Sequence, residues 1–204
     1  MPEEIYEASG IKVFGSRIKS LLFSTDVAII RNSNAHAVFA VYPFTPLISI
    51  TQSIIDVASV PVFAGVGGGT TAGKRSVNLA FQTEQLGAYG VVVNGPMSNK
   101  DIKKIHRIID IPLVATISSM KDDMAGKIEA GADILNVSAG PNTAEVVSYI
   151  RKNYSQTIPI IATGGPSGET ILATIAAGAN SITYTPPSSA EIFATMMKKY
   201  RQED

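Results

Sequence analysis

Apolar residues in this chain come in continuous runs at regular intervals, not in alternation with polar ones. Val60-Pro61-Val62-Phe63-Ala64-Gly65, Ile111-Pro112-Leu113-Val114-Ala115-Thr116 and Ile158-Pro159-Ile160-Ile161-Ala162-Thr163 share one pattern: branched aliphatic, Pro, apolar, apolar, Ala, small. Each is answered downstream by Gly-Ala and a second apolar run. The pairs are Gly87-Ala88 before 91–93, Gly131-Ala132 before 134–137, and Gly178-Ala179 before 181–184. The unit recurs after roughly 47 to 51 residues, which suits two βα units. Runs without polar alternation are expected of strands buried on both faces of a parallel sheet.

The pattern predicts strands near 27–30, 37–42, 60–66, 90–94, 112–117, 133–138, 159–163 and 181–185. Helices are expected over 47–58, 73–87, 98–109, 120–130, 142–153, 167–177 and 189–201. Residues 1–13 read as a polar lead-in. Arg17, Ile18, Leu21 and Leu22 have helical spacing behind a possible Ser16 cap. Thr45 followed by Pro46 fits an N-cap with proline at the first helical position. Eight strands alternating with helices in 204 residues, with no low-complexity linker, argue one compact α/β domain over 1–204. A (β/α)8 TIM barrel is expected, with an open doubly wound sheet as the alternative. One region is irregular. Only residues 31–36 separate the first two runs, too few for a parallel crossover.

Composition narrows the function classes. Hydrophobic residues make up 45% of the chain and charged ones 17%, as expected of a packed core. Seventeen basic and seventeen acidic residues cancel, so no basic face for nucleic acid or an anionic membrane is expected. Zero net charge offers little resistance to self-association, and a homo-oligomer is expected. The chain has no cysteine, which excludes disulfides, thiolate nucleophiles and thiolate metal sites. The first residues are acidic and contain no secretory apolar region, and no run is long enough to span a bilayer, so a cytoplasmic protein is expected.

In either fold, ligands bind beyond the carboxyl ends of the strands. The residues expected there are Arg31; Gly67, Gly68, Gly69 and Thr70; Asn94; Thr116; Asn136 and Ser138; Gly164 and Gly165; and Thr185 and Ser188. They are hydroxyls, amides and glycines. No Asp, Glu, His or Lys stands directly at an expected strand end, so no metal site and no carboxylate acid–base pair is predicted. Gly164-Gly165 ahead of an expected helix can let backbone approach an anion, with Ser188 starting the next helix. Gly68 to Lys74 nearly matches a P-loop, but Arg75 stands where a magnesium-binding Ser or Thr is required. Lys74 and Arg75 are the cation pair nearest an expected strand end. Arg31 could grip a carboxylate or phosphate in fork geometry. Arg31, Lys74, Asn94 and Asn136 are the candidate catalytic groups. The glycines, Thr70, Thr116, Ser138, Thr185 and Ser188 are the candidate binding groups.

The segment Ile158-Pro159-Ile160-Ile161-Ala162-Thr163-Gly164-Gly165, followed by Ala176-Ala177-Gly178-Ala179-Asn180-Ser181-Ile182, resembles the last two strands of the phosphate-binding (β/α)8 barrels. These are the ribulose-phosphate-binding and IMP dehydrogenase-like barrels. The resemblance covers about residues 110–186 and implies phosphate held by Gly164, Gly165 and the loop after Thr183. Thr185-Pro186-Pro187 departs from the Gly-Ser or Gly-Thr common there. The lysine of the aldolases and the metal carboxylates of the epimerases have no counterpart. The implied function is an enzyme acting on a small phosphorylated or anionic metabolite, of isomerase, lyase or hydrolase type, with no cofactor. The alternatives are a non-catalytic regulatory barrel, similar in size and pattern to the glycerol operon antiterminators, and a flavin mononucleotide binder.

Overall fold

A computed structural model describes residues 1–201; the last three positions of the domain expected over 1–204 lie outside the described residues. Ten strands and eight α-helices are present among them. The strands are β1 (Ile11–Val13), β2 (Ser16–Ile18), β3 (Ser20–Phe23), β4 (Ala37–Ala40), β5 (Val62–Gly67), β6 (Gly90–Val93), β7 (Leu113–Ile117), β8 (Ile134–Val137), β9 (Ile160–Thr163) and β10 (Ser181–Tyr184). The helices are α1 (Val27–Arg31), α2 (Ile48–Val57), α3 (Lys74–Gln85), α4 (Asn99–His106), α5 (Met124–Glu129), α6 (Thr143–Asn153), α7 (Gly168–Ala176) and α8 (Ser189–Arg201). Strands β3 to β10 are all parallel and close into one barrel, with β10 pairing back onto β3. This is the (β/α)8 fold.

Parity explains the runs. Alternate residues of each strand turn inward, and the others meet the helices. Leu21, Phe39, Phe63, Val92, Val114, Ile134 and Ile161 form one interior cluster. Their neighbours Val91, Val93, Leu113, Ala115, Leu135, Ile160, Ala162 and Ile182 join the layer between strands and helices. Both faces are buried, so both faces must be apolar.

The amino end of the barrel is plugged. β1 and β2 form an antiparallel hairpin whose Ile11, Val13 and Ile18 belong to the interior cluster. Its tip, Phe14, adopts a positive φ of 46° and sits edge-on to Tyr89, 5.5 Å between ring centres. The 3₁₀ turn Glu3–Glu7 buries Ile5 beside α7. The expected polar lead-in over 1–13 is therefore corrected: Ile5, Ala8, Ile11 and Val13 are all buried.

The opening of the chain differs in a second way. Residues 27–30, expected as the first strand, are helix α1. The first barrel strand is Ser20–Phe23, which helical spacing had predicted as helix. Asp26 caps α1, its carboxylate accepting from the amides of Ala28 and Ile29 at 2.9 and 3.2 Å. The short gap before β4 is thereby resolved, because the run itself is the crossover. A four-residue apolar stretch has no period to separate strand from helix. Helix α2 also starts later than Thr45-Pro46. Leu47 is its N-cap, and its amide donates to the Tyr42 hydroxyl at 2.8 Å.

Phe63 is fully buried inside the barrel. Phe63→Ala is expected to cost about 3–5 kcal/mol, read as a lower urea midpoint with an unchanged slope. An unchanged midpoint would show that the interior collapses around the gap.

Candidate functional site

Above the apolar interior, the inward positions turn polar. Thr116 and Asn136 are register partners on β7 and β8, and the Asn136 carboxamide donates to the Thr116 hydroxyl at 3.2 Å. Asn136 is buried, and this bond uses one of the four hydrogen-bonding positions of its carboxamide. One layer higher, the Thr163 hydroxyl at the end of β9 donates to Ser138 at 3.3 Å. Thr183 is buried on β10 and its hydroxyl donates to the Ala162 carbonyl at 3.4 Å. Sequence reading placed Thr116, Asn136 and Ser138 here, and the barrel brings them together.

Two cavities open side by side at this end. One, of about 280 Å³, is lined by Tyr42, Phe44, Gly65, Gly67, Gly69, Thr70, Thr71 and Asn94. The other, of about 410 Å³, is lined by Phe23, Ser24, Thr25, Tyr42, Asn94 and Thr185. Tyr42 and Asn94 are common to both. The Asn94 amide donates to the Gly67 carbonyl at 2.9 Å, which fixes the end of β6 against the end of β5. Its side-chain amide has no protein partner among the described residues and borders both cavities.

The glycines of the β5–α3 loop are required by its geometry. Gly67 and Gly68 have φ of 138° and 102°. A Cβ on Gly68 would lie 2.6 Å from the Asn94 amide nitrogen, and one on Gly67 would meet the Ser76 hydroxyl and the Thr71 carbonyl. Ser76 is fully buried and its hydroxyl has no partner. Thr71 is buried and donates to Thr45 at 3.0 Å, joining this loop to the one after β4. Gly73, the last glycine, donates its amide to Asp101 of α4 at 3.1 Å. Lys74 and Arg75 begin α3, exposed at the rim.

The opposite side of the mouth is built differently. Gly164 stands where a Cβ would strike Ile182 and Ile171 at 2.7 and 2.8 Å, so this glycine serves close packing of α7 onto β10. Gly165 has φ of 80° beside Thr170. Ser167 and Thr170 form a capping box that uses two amides at the start of α7. At the start of α8, the Glu191 carboxylate accepts from both the Ser188 amide and hydroxyl at 2.7 Å. These bonds hold Glu191 below its ordinary acidity range, led by the hydroxyl of Ser188. Ser189 donates to Asp26, and this bond leads the lowering of the Asp26 pKa. Thr185 stays exposed at the rim.

Arg31 is displaced altogether. It lies in the last turn of α1, away from any strand end, because the run before it is helical. Lys127 escaped the sequence reading, and Asp122 does more than its place near a helix start predicts. Burial pushes Asp122 up, but bonds from the Ser118 amide at 2.6 Å and from the Ser118 and Ser119 hydroxyls outweigh it, so its pKa is lowered. Lys127 of α5 is only 3% exposed and donates to the Gly95 carbonyl at 2.8 Å, with desolvation lowering its pKa. It ties α5 to the loop that follows Asn94. Neither spacing nor neighbours in the sequence distinguish it from a surface lysine.

The fold and the site define a (β/α)8 barrel with an amide- and hydroxyl-lined mouth. No family model matches the chain, and no curated protein matches it. Solved structures do. 2,3-Dimethylmalate lyase, a PEP mutase/isocitrate lyase superfamily member, is similar over 98% of this chain and 85% of its own, with 12% identity and a TM-score of 0.68. Phosphoenolpyruvate phosphomutase from Streptomyces platensis subsp. rosaceus is similar over 97% and 83%, with 13% identity and 0.66. Phosphonopyruvate hydrolase, in a complex with oxalate and Mg++, is similar over 91% and 92%, with 12% identity and 0.63. None of these is one of the ribulose-phosphate-binding or IMP dehydrogenase-like barrels that the sequence resembles. At such identities the likeness concerns the fold. The magnesium of the last complex has no evident counterpart here. No group of three or more His, Cys, Asp or Glu among the described residues could hold a metal ion. Magnesium sites rely on carboxylate oxygens, which this mouth does not gather. No helix among the described residues is long and apolar enough to cross a membrane.

Asp101 accepts from Lys104 at 3.0 Å and from Gly73, and its pKa is lowered, chiefly by Lys104. A depressed carboxylate stabilises the fold above its unfolded pKa, and that contribution is lost as pH falls through the folded value. Wild type is therefore expected to lose more thermal stability than Asp101→Asn on acidification below about pH 4. Equal losses in melting temperature would remove Asp101 as a pin of the glycine loop.

Proposed function

We propose that this chain is an enzyme acting on a small phosphorylated or carboxylate metabolite, with mutase, lyase or hydrolase chemistry, in the cavities shared by Tyr42 and Asn94. The observation that carries the reading is the uncommitted Asn94 carboxamide where both cavities meet, above a closed apolar interior. The three structural relatives are named for dimethylmalate, phosphoenolpyruvate and phosphonopyruvate, all small carboxylates, two of them bearing a phosphoryl or phosphonyl group, which supports the substrate class. Asn94 orients the reacting group. Tyr42 and Phe44 wall one side, and the polar group of Thr116, Asn136 and Ser138 stands at the same end of the barrel, outside the two cavity walls. Such a set works by positioning and by fixed dipoles.

The anionic head group belongs on the β5–α3 side. There Gly67, Gly69 and Thr70 line the cavity, Gly68 packs behind them against Asn94, and Lys74 and Arg75 supply the rim's positive charge. A phosphate seated instead by Gly164, Gly165, Thr185 and Ser188 would face Glu191 and Asp26, whose charges oppose it. A second reading, a metabolite-binding barrel without turnover, is favoured by the absence of acidic or histidine side chains from both cavity walls.

Thermal stability measured against phosphoenolpyruvate, phosphonopyruvate, dimethylmalate and sugar phosphates tests the site. A ligand at 100 times its dissociation constant adds about 2.7 kcal/mol, and Asn94→Ala is expected to abolish that shift. No shift with any of these anions defeats the substrate class. For a ligand that binds, product analysis decides between the two readings. If turnover is found, Asn94→Ala is expected to lower kcat/KM about 100-fold. Lys74→Gln is expected to raise KM about tenfold at similar kcat, as loss of uniform binding does. A Lys74→Gln enzyme with unchanged KM would place the head group elsewhere.

A further inference from the structure

Helix α8 buries none of its residues, although it is the longest helix of the barrel. Ile192, Phe193, Met196, Met197 and Tyr200 are all exposed, Phe193 by 67% and Tyr200 by 68%. At 100° per residue they fall within an arc of roughly 140°, the width of a stripe meant for burial. Beside the stripe runs a cleft of about 510 Å³ between α8 and the barrel wall. Leu22, Ile29, Tyr184, Ile192, Phe193 and Met196 line it, and no charged side chain does. One element thus carries both an apolar ridge and half of an apolar cleft.

We propose that this face pairs two copies of the chain about a two-fold axis, with α8 against α8 of the second copy in antiparallel fashion. Four observations choose this occupant. The surface is self-complementary, since the ridge of Phe193, Met197 and Tyr200 in one copy meets the cleft beside α8 in the other, and the reverse contact follows by symmetry. The area is adequate. Two aromatic rings and three aliphatic or thioether chains, about half exposed, present on the order of 500 Å², and the cleft wall brings a pair of copies to roughly 1,200 Å² or more, the range of specific interfaces. A patch of this size stands among the largest that a typical monomer leaves exposed, and such patches are often functional. The chain has no net charge to keep copies apart, and a cleft lined by no charged side chain offers little to a nucleic acid or an acidic or basic peptide. The stripe runs from Ile192 to Tyr200, so the axis passes near its midpoint, Met196.

Light scattering after size exclusion, and sedimentation from 1 to 100 µM, give the mass of the full chain. A species of twice 21.5 kDa is expected. Phe193→Glu is expected to weaken the pairing at least 100-fold while leaving the circular dichroism spectrum and melting cooperativity of a folded monomer. The chain has no cysteine, so Met196→Cys introduces a single thiol. Mild oxidation is expected to link most chains of this variant in pairs, whereas Leu172→Cys, exposed on α7, stays unlinked under the same conditions. A monomer at every concentration overturns the proposal. So does a dimer that survives Phe193→Glu, which would put the interface elsewhere. A dimer lost with Phe193→Glu but never linked through Met196→Cys also overturns it, since α8 would then rest on another surface of its partner. Ligand binding at the mouth is measured separately, so failure here leaves that reading standing.

Discussion

A ring of eight parallel strands is stable only if its interior is filled, and this barrel does that with an apolar cluster from seven of its strands, completed on β10 by the small buried Ser181. Phe39 and Phe63 supply the bulk, while Leu21, Val92, Val114, Ile134 and Ile161 fill the remaining arc. Gly90 beside Phe63 shows how tight the fit is, since a Cβ there would lie 2.6 Å from the ring. The hairpin of β1 and β2 then seals the amino end with Ile11, Val13 and Ile18. Water and ligand can reach the axis from the carboxyl end only. The position of the cavities, and the polarity of the residues around them, follow from this one filled layer.

Charge is distributed unevenly around that open end. On the β5–α3 side, glycine backbone and two exposed cations meet solvent, and the loop is held from behind by Asp101 and Thr45. On the β9–β10 side, the helix starts are satisfied by the chain's own groups: the Ser167–Thr170 box at α7 and Glu191 at α8. A helix start binds an external anion through amides it has not already committed. Self-capping thus draws the electrostatic asymmetry of the mouth, and it does so with residues three apart in sequence.

The barrel was legible because its strands had to be apolar on both faces, and from residue 60 onward every expected strand is found. The opening was not legible. Val27 to Ile30 and Leu21-Leu22 are both short apolar stretches, and only tertiary pairing decides which joins the sheet. Ser20–Phe23 gained the place because β10 and β4 both needed a partner there. Of the candidate groups tied to strand ends by register, Thr116 and Asn136 are bonded to each other, Ser138 is bonded to Thr163 beside them, and Asn94 borders the two cavities. Arg31 stands apart, since its placement rested on the misread run. Lys127 and Asp122 were hidden because their burial arises from loops packed after β6 and β7, which no local pattern encodes.

Closure joins the two ends of the polypeptide. Ile182 donates its amide to Lys19 at 2.9 Å, and the Ser181 hydroxyl donates to Ile18 at 2.6 Å, across more than 160 positions of sequence. During synthesis the outer edge of β3 emerges early and has no mate until the last strand leaves the ribosome. At about 5–20 residues per second, that edge waits on the order of ten seconds or longer as an open template for pairing with other chains. The β3 edge is thus where premature pairing between nascent chains would begin, and only the arrival of β10 closes it.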